Sequence, residues 1–261
     1  MATGLPATPP GPGTVDSAAV AALSDAVQDI VERVFGTVER TAAACTARLS
    51  AVASESRRPL SADLAVLRPD LHRRLVRDDL VSGLGFVAAP GLLSDTATCL
   101  EWWQTTGDGT VRPLLLDLDG VHSSFVDYTH WDWYARPRDT GGRLIAGPYV
   151  DYLCSEEYSL TFSLPVVVEG RFAGVAAADV YLRHFEATIA PLLRRLPVPA
   201  RLVNARGRVA VSTDPHHLVG SLTKGLDFTA PPAQPSRPAV RGGLALFPCE
   251  GTSLALVTPA G

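Results

Sequence analysis

The sequence predicts an α+β protein in which one long N-terminal helix precedes two modules built on antiparallel sheets. Three observations support this prediction. Apolar residues recur with helical spacing from about Asp16 to Ser56, short apolar and β-branched segments follow from Gly83, and a second, smaller group of short strands follows Pro197. Because strands follow one another and the helices are segregated from them, mixed antiparallel sheets fit better than alternating βαβ units.

Length and composition are those of a folded globular protein. The chain has 261 residues, of which 46% are hydrophobic and 19% charged, enough for one large or two modest domains. We predict a disordered tail over residues 1–14 and a helical region over residues 15–78. A larger sheet module with the ligand pocket is expected over residues 79–196, and a smaller one over residues 197–261.

The N-terminal helix is predicted from a single apolar stripe with spacings of three and four residues. A helix of about 40 residues is longer than a compact domain requires, so we expect it to pack along another helix or to form a homodimer. A shorter helical segment is expected over Ala62–Val76. The stripe comprises Val20, Leu23, Val27, Ile30, Val31, Val34, Val38, Cys45, Leu49 and Val52.

Strands of the larger module are marked by apolar or alternating segments that end at turns. Glu169–Gly170 separates two β-branched segments, which are therefore predicted to be adjacent central strands. A helix is expected over Tyr181–Leu196. The predicted strands are Gly83–Pro90, Leu100–Gln104, Val111–Asp117, Leu160–Val168 and Arg171–Val180, and in the smaller module two around Ala205–Gly207, then Gly242–Phe247 and Thr252–Thr258.

Charge and hydropathy argue against several classes of partner. The net charge is −4 and the charges are interspersed, so neither a nucleic-acid surface nor a cationic membrane-binding face is expected. The first residues lack the basic start and apolar core of a signal peptide, and no segment approaches the ~18 continuous apolar residues of a membrane span. We therefore expect a cytoplasmic location.

Catalytic and metal motifs are not found in the sequence. Four widely spaced cysteines (Cys45, Cys99, Cys154 and Cys249) form no C-x-x-C pair, so reduced, mostly buried thiols are expected, with two disulfides as the alternative. His122 and His130 lie near several aspartates, but their spacing matches no metal-ligand motif. We expect no catalytic residue, metal or cofactor, and a hydrolase or deaminase acting on an amine would need a nucleophile or metal that the sequence does not supply.

A series of motifs in the larger module resembles the double Cache family of PAS-like sensor domains. They are Trp133–Tyr134, Gly147–Asp151, Leu160–Val166 and Gly170–Val180, and Val203–Gly220 is similar to the opening of the family's second module. The resemblance implies a small-molecule sensor. Family members usually lie outside the membrane between two transmembrane helices. Because no such helix is found in this sequence, the chain is expected to be a stand-alone version whose output is another polypeptide, such as a transcription regulator or a kinase.

The resemblance also implies where a ligand binds. In the family's amino-acid binders, the residues at the positions of Tyr149, Asp151 and Asp179 hold the α-amino group. An arginine that grips the ligand carboxylate in those binders is replaced here by Trp131. An amine or quaternary ammonium ligand is therefore favoured, with Trp131, Trp133 and Tyr134 as aromatic rings that attract the cation. Tyr128 lies near the position of the family's upstream tyrosine, at a shifted spacing.

Several alternatives stay open at the level of sequence. Arg136, Arg138 or Arg143 could bind a carboxylate from the loop expected over Asp132–Gly147, which would make the protein an amino-acid sensor. The tryptophans could be core residues, and Asp179 could cap the following helix. The whole chain could also be a ligand-independent interaction scaffold.

Overall fold

The computed structural model describes residues 17–116, 127–150, 157–223, 228, 239–249 and 252–260. The chain divides into two compact units. Ile30–Phe185 form the central unit, whereas Met1–Asp29 and Glu186–Gly261 together form the terminal unit. Each unit is described separately below.

The long N-terminal helix is present, as the apolar stripe predicted. Helix α1 spans Ser17–Ser54, and the stripe residues Val27, Val31, Val34 and Val38 are fully buried. In the central unit Phe35 packs edge-to-face on Phe162 of the sheet, with ring centroids 5.2 Å apart.

The second helical segment, predicted over Ala62–Val76, is two helices. Helix α2 spans Ser61–Ala65 and helix α3 spans Arg68–Arg77. Pro69 lies in the first turn of α3. Proline has no N–H to donate to a preceding turn but is well accommodated at a helix start, so a new helix begins here.

The central unit is built on a six-stranded antiparallel sheet with the strand order β3-β2-β1-β6-β5-β4. Glu169 and Gly170 have φ values of 50° and 76°, which suits the two-residue hairpin predicted between β5 and β6. The elements are β1 (Gly83–Ala88), β2 (Leu100–Thr105), β3 (Val111–Pro113), α4 (Asp132–Thr140), β4 (Leu144–Val150), β5 (Tyr158–Val168) and β6 (Arg171–Tyr181).

The two faces of this sheet are covered by different helices. Phe162 meets α1 on one face, where Trp103 also meets His72 of α3 at a centroid distance of 4.0 Å. Because side chains alternate along a strand, the neighbours of these residues point to the other face. That face carries α4 with buried Tyr134 and Trp102, and we call it the α4 face.

The segment expected to be a pocket loop, Asp132–Gly147, is mostly regular structure. It contains α4 and the beginning of β4. Gly141 ends the helix in the left-handed conformation (φ 69°), and its N–H donates to the carbonyl of Pro137. A glycine at this position is the usual stop signal of a helix, which the sequence interpretation overlooked.

The terminal unit has its own five-stranded antiparallel sheet with the order β8-β7-β11-β10-β9. Val203, Val209, Leu246 and Val257 form its apolar core. Helix α5 (Leu182–Leu193) begins in the central unit and continues into the terminal unit. The strands of the terminal unit are β7 (Arg201–Asn204), β8 (Val209–Ser212), β9 (Ala239–Arg241), β10 (Leu244–Pro248) and β11 (Leu254–Pro259). The sheet is the second module expected from the sequence.

Two further expectations concern the cysteines and the membrane. Cys45, Cys99 and Cys249 are free thiols, and Cys154 lies outside the described residues. Over the part of the chain that the structure describes, no helix combines the length and apolar character needed to cross a bilayer.

Candidate ligand-binding site

The register of three strands, β1, β6 and β5, brings polar and small residues together on the α4 face. Asp179 of β6 lies directly between Gly83 of β1 and Thr161 of β5. In the adjacent row Ala177 lies between Gly85 and Ser163. Opposed residues of an antiparallel pair have Cβ atoms about 4.5–5.5 Å apart, so these side chains share one small area.

A chain of hydrogen bonds connects three strands within this area. The Thr161 hydroxyl donates to Oδ1 of Asp179 at 2.6 Å. Its single proton is then used, so the 2.5 Å contact between Thr161 Oγ1 and the Tyr149 hydroxyl must carry the tyrosine proton. The chain therefore runs from Tyr149 through Thr161 to a carboxylate acceptor, which fixes the orientation of Asp179.

Asp179 is thus part of a strand and of this hydrogen-bonded chain. It lies inside β6, which continues to Tyr181, and α5 begins only at Leu182. The alternative that Asp179 caps the following helix is therefore not what the structure shows.

Two glycines make room for an indole on the same face. A Cβ added at Gly83 would lie 3.1 Å from Nε1 of Trp102, and one at Gly85 would lie 3.0 Å from Cε3 of the same ring. The Trp102 side chain therefore lies over β1, with its indole nitrogen above the residue that pairs with Asp179.

The aromatic residues singled out in the sequence come together around the start of α4. Tyr134 is the centre, with ring centroids 5.2 Å from Tyr128, 5.9 Å from Trp133 and 5.6 Å from Phe172. Trp131 lies 6.1 Å from Trp133. Trp131 is the N-cap of α4, and Trp133 belongs to the first turn of this helix.

The two tyrosines of this cluster differ in how their hydroxyls are used. Tyr128 is buried and donates to the carbonyl of Ala88 at 3.2 Å, so its hydroxyl has a structural partner. Tyr134 is 1% exposed, and among the described residues its hydroxyl has no hydrogen-bond partner. Burial raises the pKa of Tyr134 to about 12, so the group stays protonated and can donate.

Other polar atoms on this face also lack hydrogen-bond partners within the part of the chain that the structure describes. They are Nε1 of Trp102, Oγ of Ser159 and Oγ of Ser163. Leaving a buried donor or acceptor unpaired costs about 1–3 kcal/mol, and such groups in a folded protein call for an explanation. A ligand that presents polar groups to this face would satisfy them.

The three arginines considered as carboxylate grips are in different places. Arg143 forms two hydrogen bonds with Glu32 of α1, at 2.8 and 2.6 Å, and lies 4.5 Å from the Phe35 ring centroid, on the face opposite α4. Arg138 lies 5.9 Å from the centroid of Tyr134 and also binds Asp139.

Arg136 is exposed on α4, and Asp151 lies outside the described residues. Of the three arginines, Arg138 is the one that the structure brings to the aromatic cluster.

Sequence reasoning missed Trp102 and Ser163 and did not assign a role to Thr161. A signal was present in Gly83-Leu-Gly85, whose alternate glycines indicate close approach of another group to a strand.

Comparison with known proteins agrees with this architecture. Residues 112–187 match the sequence model of the first PDC sensor domain of methyl-accepting chemotaxis protein-like proteins. No curated protein matches the chain. Among solved structures, one described as methyl-accepting chemotaxis protein X aligns with a TM-score of 0.57 and 16% identity, over 92% of this chain and 96% of that one.

Several aligned structures are chemoreceptor domains with bound ligands. The ligand-binding domain of the Pseudomonas aeruginosa amino-acid chemoreceptor PctC, in complex with GABA, aligns at 20% identity and TM-score 0.56, covering 92% of this chain and 97% of that one. The ligand-binding domain of the Pseudomonas fluorescens chemoreceptor CtaA, in complex with L-valine, aligns at 16% identity and TM-score 0.57, covering 94% and 95%. The fold is that of PDC/Cache-like sensor domains. These matches are to sensor and chemoreceptor ligand-binding domains and not to enzyme domains.

Proposed function

We propose that the central unit is a sensor domain whose α4 face binds a small metabolite with a positively charged nitrogen. The observation that carries this proposal is the carboxylate of Asp179, held by the Tyr149–Thr161 chain on the sheet face that also carries the Tyr134 aromatic cluster. An oriented carboxylate and aromatic rings are the two partners that an ammonium group prefers.

The energetic argument favours a cation over a neutral ligand. Each desolvated cation–π contact is worth about 0.5–2 kcal/mol, and a charge-assisted hydrogen bond to a carboxylate is roughly twice as strong as a neutral one. GABA and L-valine, named with two of the aligned chemoreceptor domains, both carry an amino group.

A second candidate, an amino acid, is favoured by the unpartnered donors. The indole N–H of Trp102 can only donate, so a ligand that satisfies it must offer an acceptor such as a carboxylate or carbonyl oxygen. Trp102 Nε1 lies over Gly83, the direct partner of Asp179, so one ligand could contact both groups. If the ligand is an amino acid, the neutral donors, with Arg138 nearby, bind its carboxylate in place of the arginine that does so in the family's amino-acid binders.

The deciding experiment is a calorimetric binding screen with the full chain against alkylamines, betaines and amino acids. We expect at least one class to bind, and Asp179→Asn to weaken that binding by tenfold or more. Glu169→Gln is the matched control, because it removes one carboxylate at the exposed turn of the same hairpin. Wild-type affinity in Asp179→Asn, or no binding by any class, would contradict the proposal and favour an interaction scaffold.

The chemical class follows from two further variants. Tyr134→Phe and Arg138→Gln should weaken amino acids more than simple amines if acceptor groups of the ligand contact these donors. If each substitution weakens amino acids and simple amines equally, the amino group is the only part of the ligand that the site recognises.

Signal output is proposed to occur through helix α1, as a homodimer or through a separate partner protein in the cytoplasm. Support comes from the 38-residue length of this helix, which exceeds the needs of an isolated module. Light scattering with and without ligand measures the oligomeric state, and a ligand-independent monomer would contradict signalling through a dimer.

A further inference from the structure

A second candidate site lies on the helical side of the central unit, away from the α4 face. A cavity of about 500 Å³ is lined by α1, α3 and the residues that follow α3. This volume is within the ~300–1,000 Å³ typical of small-molecule sites. Its lining comprises Arg33, Thr37, Arg40, Asp70, Arg73, Arg74, Arg77, Asp78 and Asp79.

The charge of this cavity is opposite to that of the chain. Five arginines face three aspartates, which gives a local net charge of +2, whereas the whole chain carries −4. The arginines occupy one face of each helix: Arg33 and Arg40 lie seven residues apart on α1, and Arg73 and Arg77 are four apart on α3. Like charges four residues apart on a helix repel each other, so the arrangement has a cost without an anion.

The aspartates neutralise only part of this charge. Asp70 accepts hydrogen bonds from Arg73 at 2.9 Å and from Arg74 at 2.7 Å. Although burial opposes its ionisation, these arginines hold the pKa of Asp70 below its ordinary value, so it remains charged. Asp78 instead accepts from the hydroxyl of Thr37 at 3.3 Å.

Two guanidinium groups at this cavity are not paired with a carboxylate. Within the residues that the structure describes, Arg40 donates to Thr37 Oγ1 at 3.0 Å and to no aspartate or glutamate. Arg77 has no ion pair or side-chain hydrogen bond in the same set of residues. Arg33 is 3.9 Å from Asp79, a carboxylate whose side chain is 97% exposed, so this pair is weak.

We propose that this cavity binds a small anion with two or more negative charges on oxygen atoms, either phosphoryl or carboxylate. Guanidinium forks match both groups through two parallel hydrogen bonds. An anion of charge −2 or more would offset the local excess of +2 and engage Arg40 and Arg77. The site would let the sensor respond to a second, anionic metabolite.

The test is isothermal titration of the full chain with pyrophosphate and, separately, citrate, in 0.15 M NaCl without divalent cations. We expect one of the two to bind, which identifies the phosphoryl or the carboxylate source. Arg40→Gln and Arg77→Gln should each weaken binding by about tenfold, since each removes charge-assisted contacts.

Two controls separate this site from general electrostatics and from the α4 face. Arg112→Gln removes an exposed arginine of β3 outside the cavity and should leave the affinity unchanged, as should Asp179→Asn. No binding of either anion, or equal weakening in Arg112→Gln and Arg40→Gln, would overturn the proposal. Neither outcome depends on whether the cation ligand of the α4 face has been found.

Discussion

Thr161→Val tests whether the hydrogen-bonded chain on the α4 face supports the candidate site. Thr161 is 2% exposed, and valine keeps its shape while removing the oxygen that serves both Tyr149 and Asp179. A hydrogen bond to a charged group contributes about 1.5–3 kcal/mol and a neutral one about 0.5–1.5 kcal/mol. Because the two losses overlap, we expect the free energy of unfolding to fall by about 2–3 kcal/mol.

The assay is urea unfolding at 25 °C, followed by tryptophan fluorescence. All four tryptophans lie between residues 102 and 133, so the signal reports on the central unit and not on the terminal unit. Thr161→Ser is the matched control: it keeps the hydroxyl and removes one buried methyl group, at a cost of roughly 0.8 kcal/mol.

A double-mutant cycle of Thr161→Val with Tyr149→Phe measures the energetic coupling between these two side chains. If Tyr149 acts through Thr161, the double variant should lose about 1 kcal/mol less than the sum of the single variants. For the ligand identified in the binding screen, Thr161→Val should lower affinity about tenfold and Thr161→Ser should not. The reasoning is refuted if valine and serine have equal effects, or if Thr161→Val changes stability by less than about 0.5 kcal/mol.

Three further predictions concern the framework of the central unit. Gly85→Ala should lower the free energy of unfolding by at least about 2 kcal/mol, because its Cβ would lie 2.3 Å from a carbonyl oxygen of β2. Gly107→Ala, with no atom within 4 Å, should stay within about 0.5 kcal/mol in the same titration. Hydrogen bonds from Arg57 hold the pKa of buried Asp63 below its unfolded value, so their stabilisation is complete above the unfolded pKa of about 4 and is lost progressively as the pH falls from there towards the lower folded-state pKa. The stability difference between wild type and Asp63→Asn, about 2–4 kcal/mol at pH 7, should therefore shrink in urea titrations towards pH 3, and a constant difference would contradict this pairing. Burial raises the pKa of Cys45 to about 12, so mass spectrometry should find this thiol unalkylated by iodoacetamide at pH 8 until urea unfolds the unit.

Local patterns in the sequence were sufficient for most of the fold. The stripe of α1 and the β5–β6 hairpin around Glu169 depend on periodicity and turn chemistry, both of which are contained in short segments. Helix α4 was missed because it has few apolar residues and contains Pro137, which normally argues against a helix interior. Strand β9 is only three residues long and has no periodicity to detect.

The candidate site could be predicted in its residue types but not in its arrangement. The aromatic residues and Asp179 were identified from the motifs that resemble the Cache family. The roles of Thr161 and Trp102 depend on which strands pair and in which register, and these strands are separated by many residues in the chain. No local pattern specifies that Trp102 lies over Gly83 next to Asp179, so only the folded sheet shows these contacts.

Alternation along the central strands offers a physical route from the α4 face to helix α1. Thr161 and Asp179 point to the α4 face, whereas the next residue of β5, Phe162, points to the other face and packs on Phe35 of α1. A ligand that displaces Asp179 also displaces Thr161 of β5 through the hydrogen bond between them. Because the protein interior is closely packed, a shift of β5 moves Thr161 and its neighbour Phe162 together. The ligand-facing and helix-facing contacts are therefore one residue apart along β5, and a displacement of β5 on ligand binding would act directly on the helix proposed to carry the output.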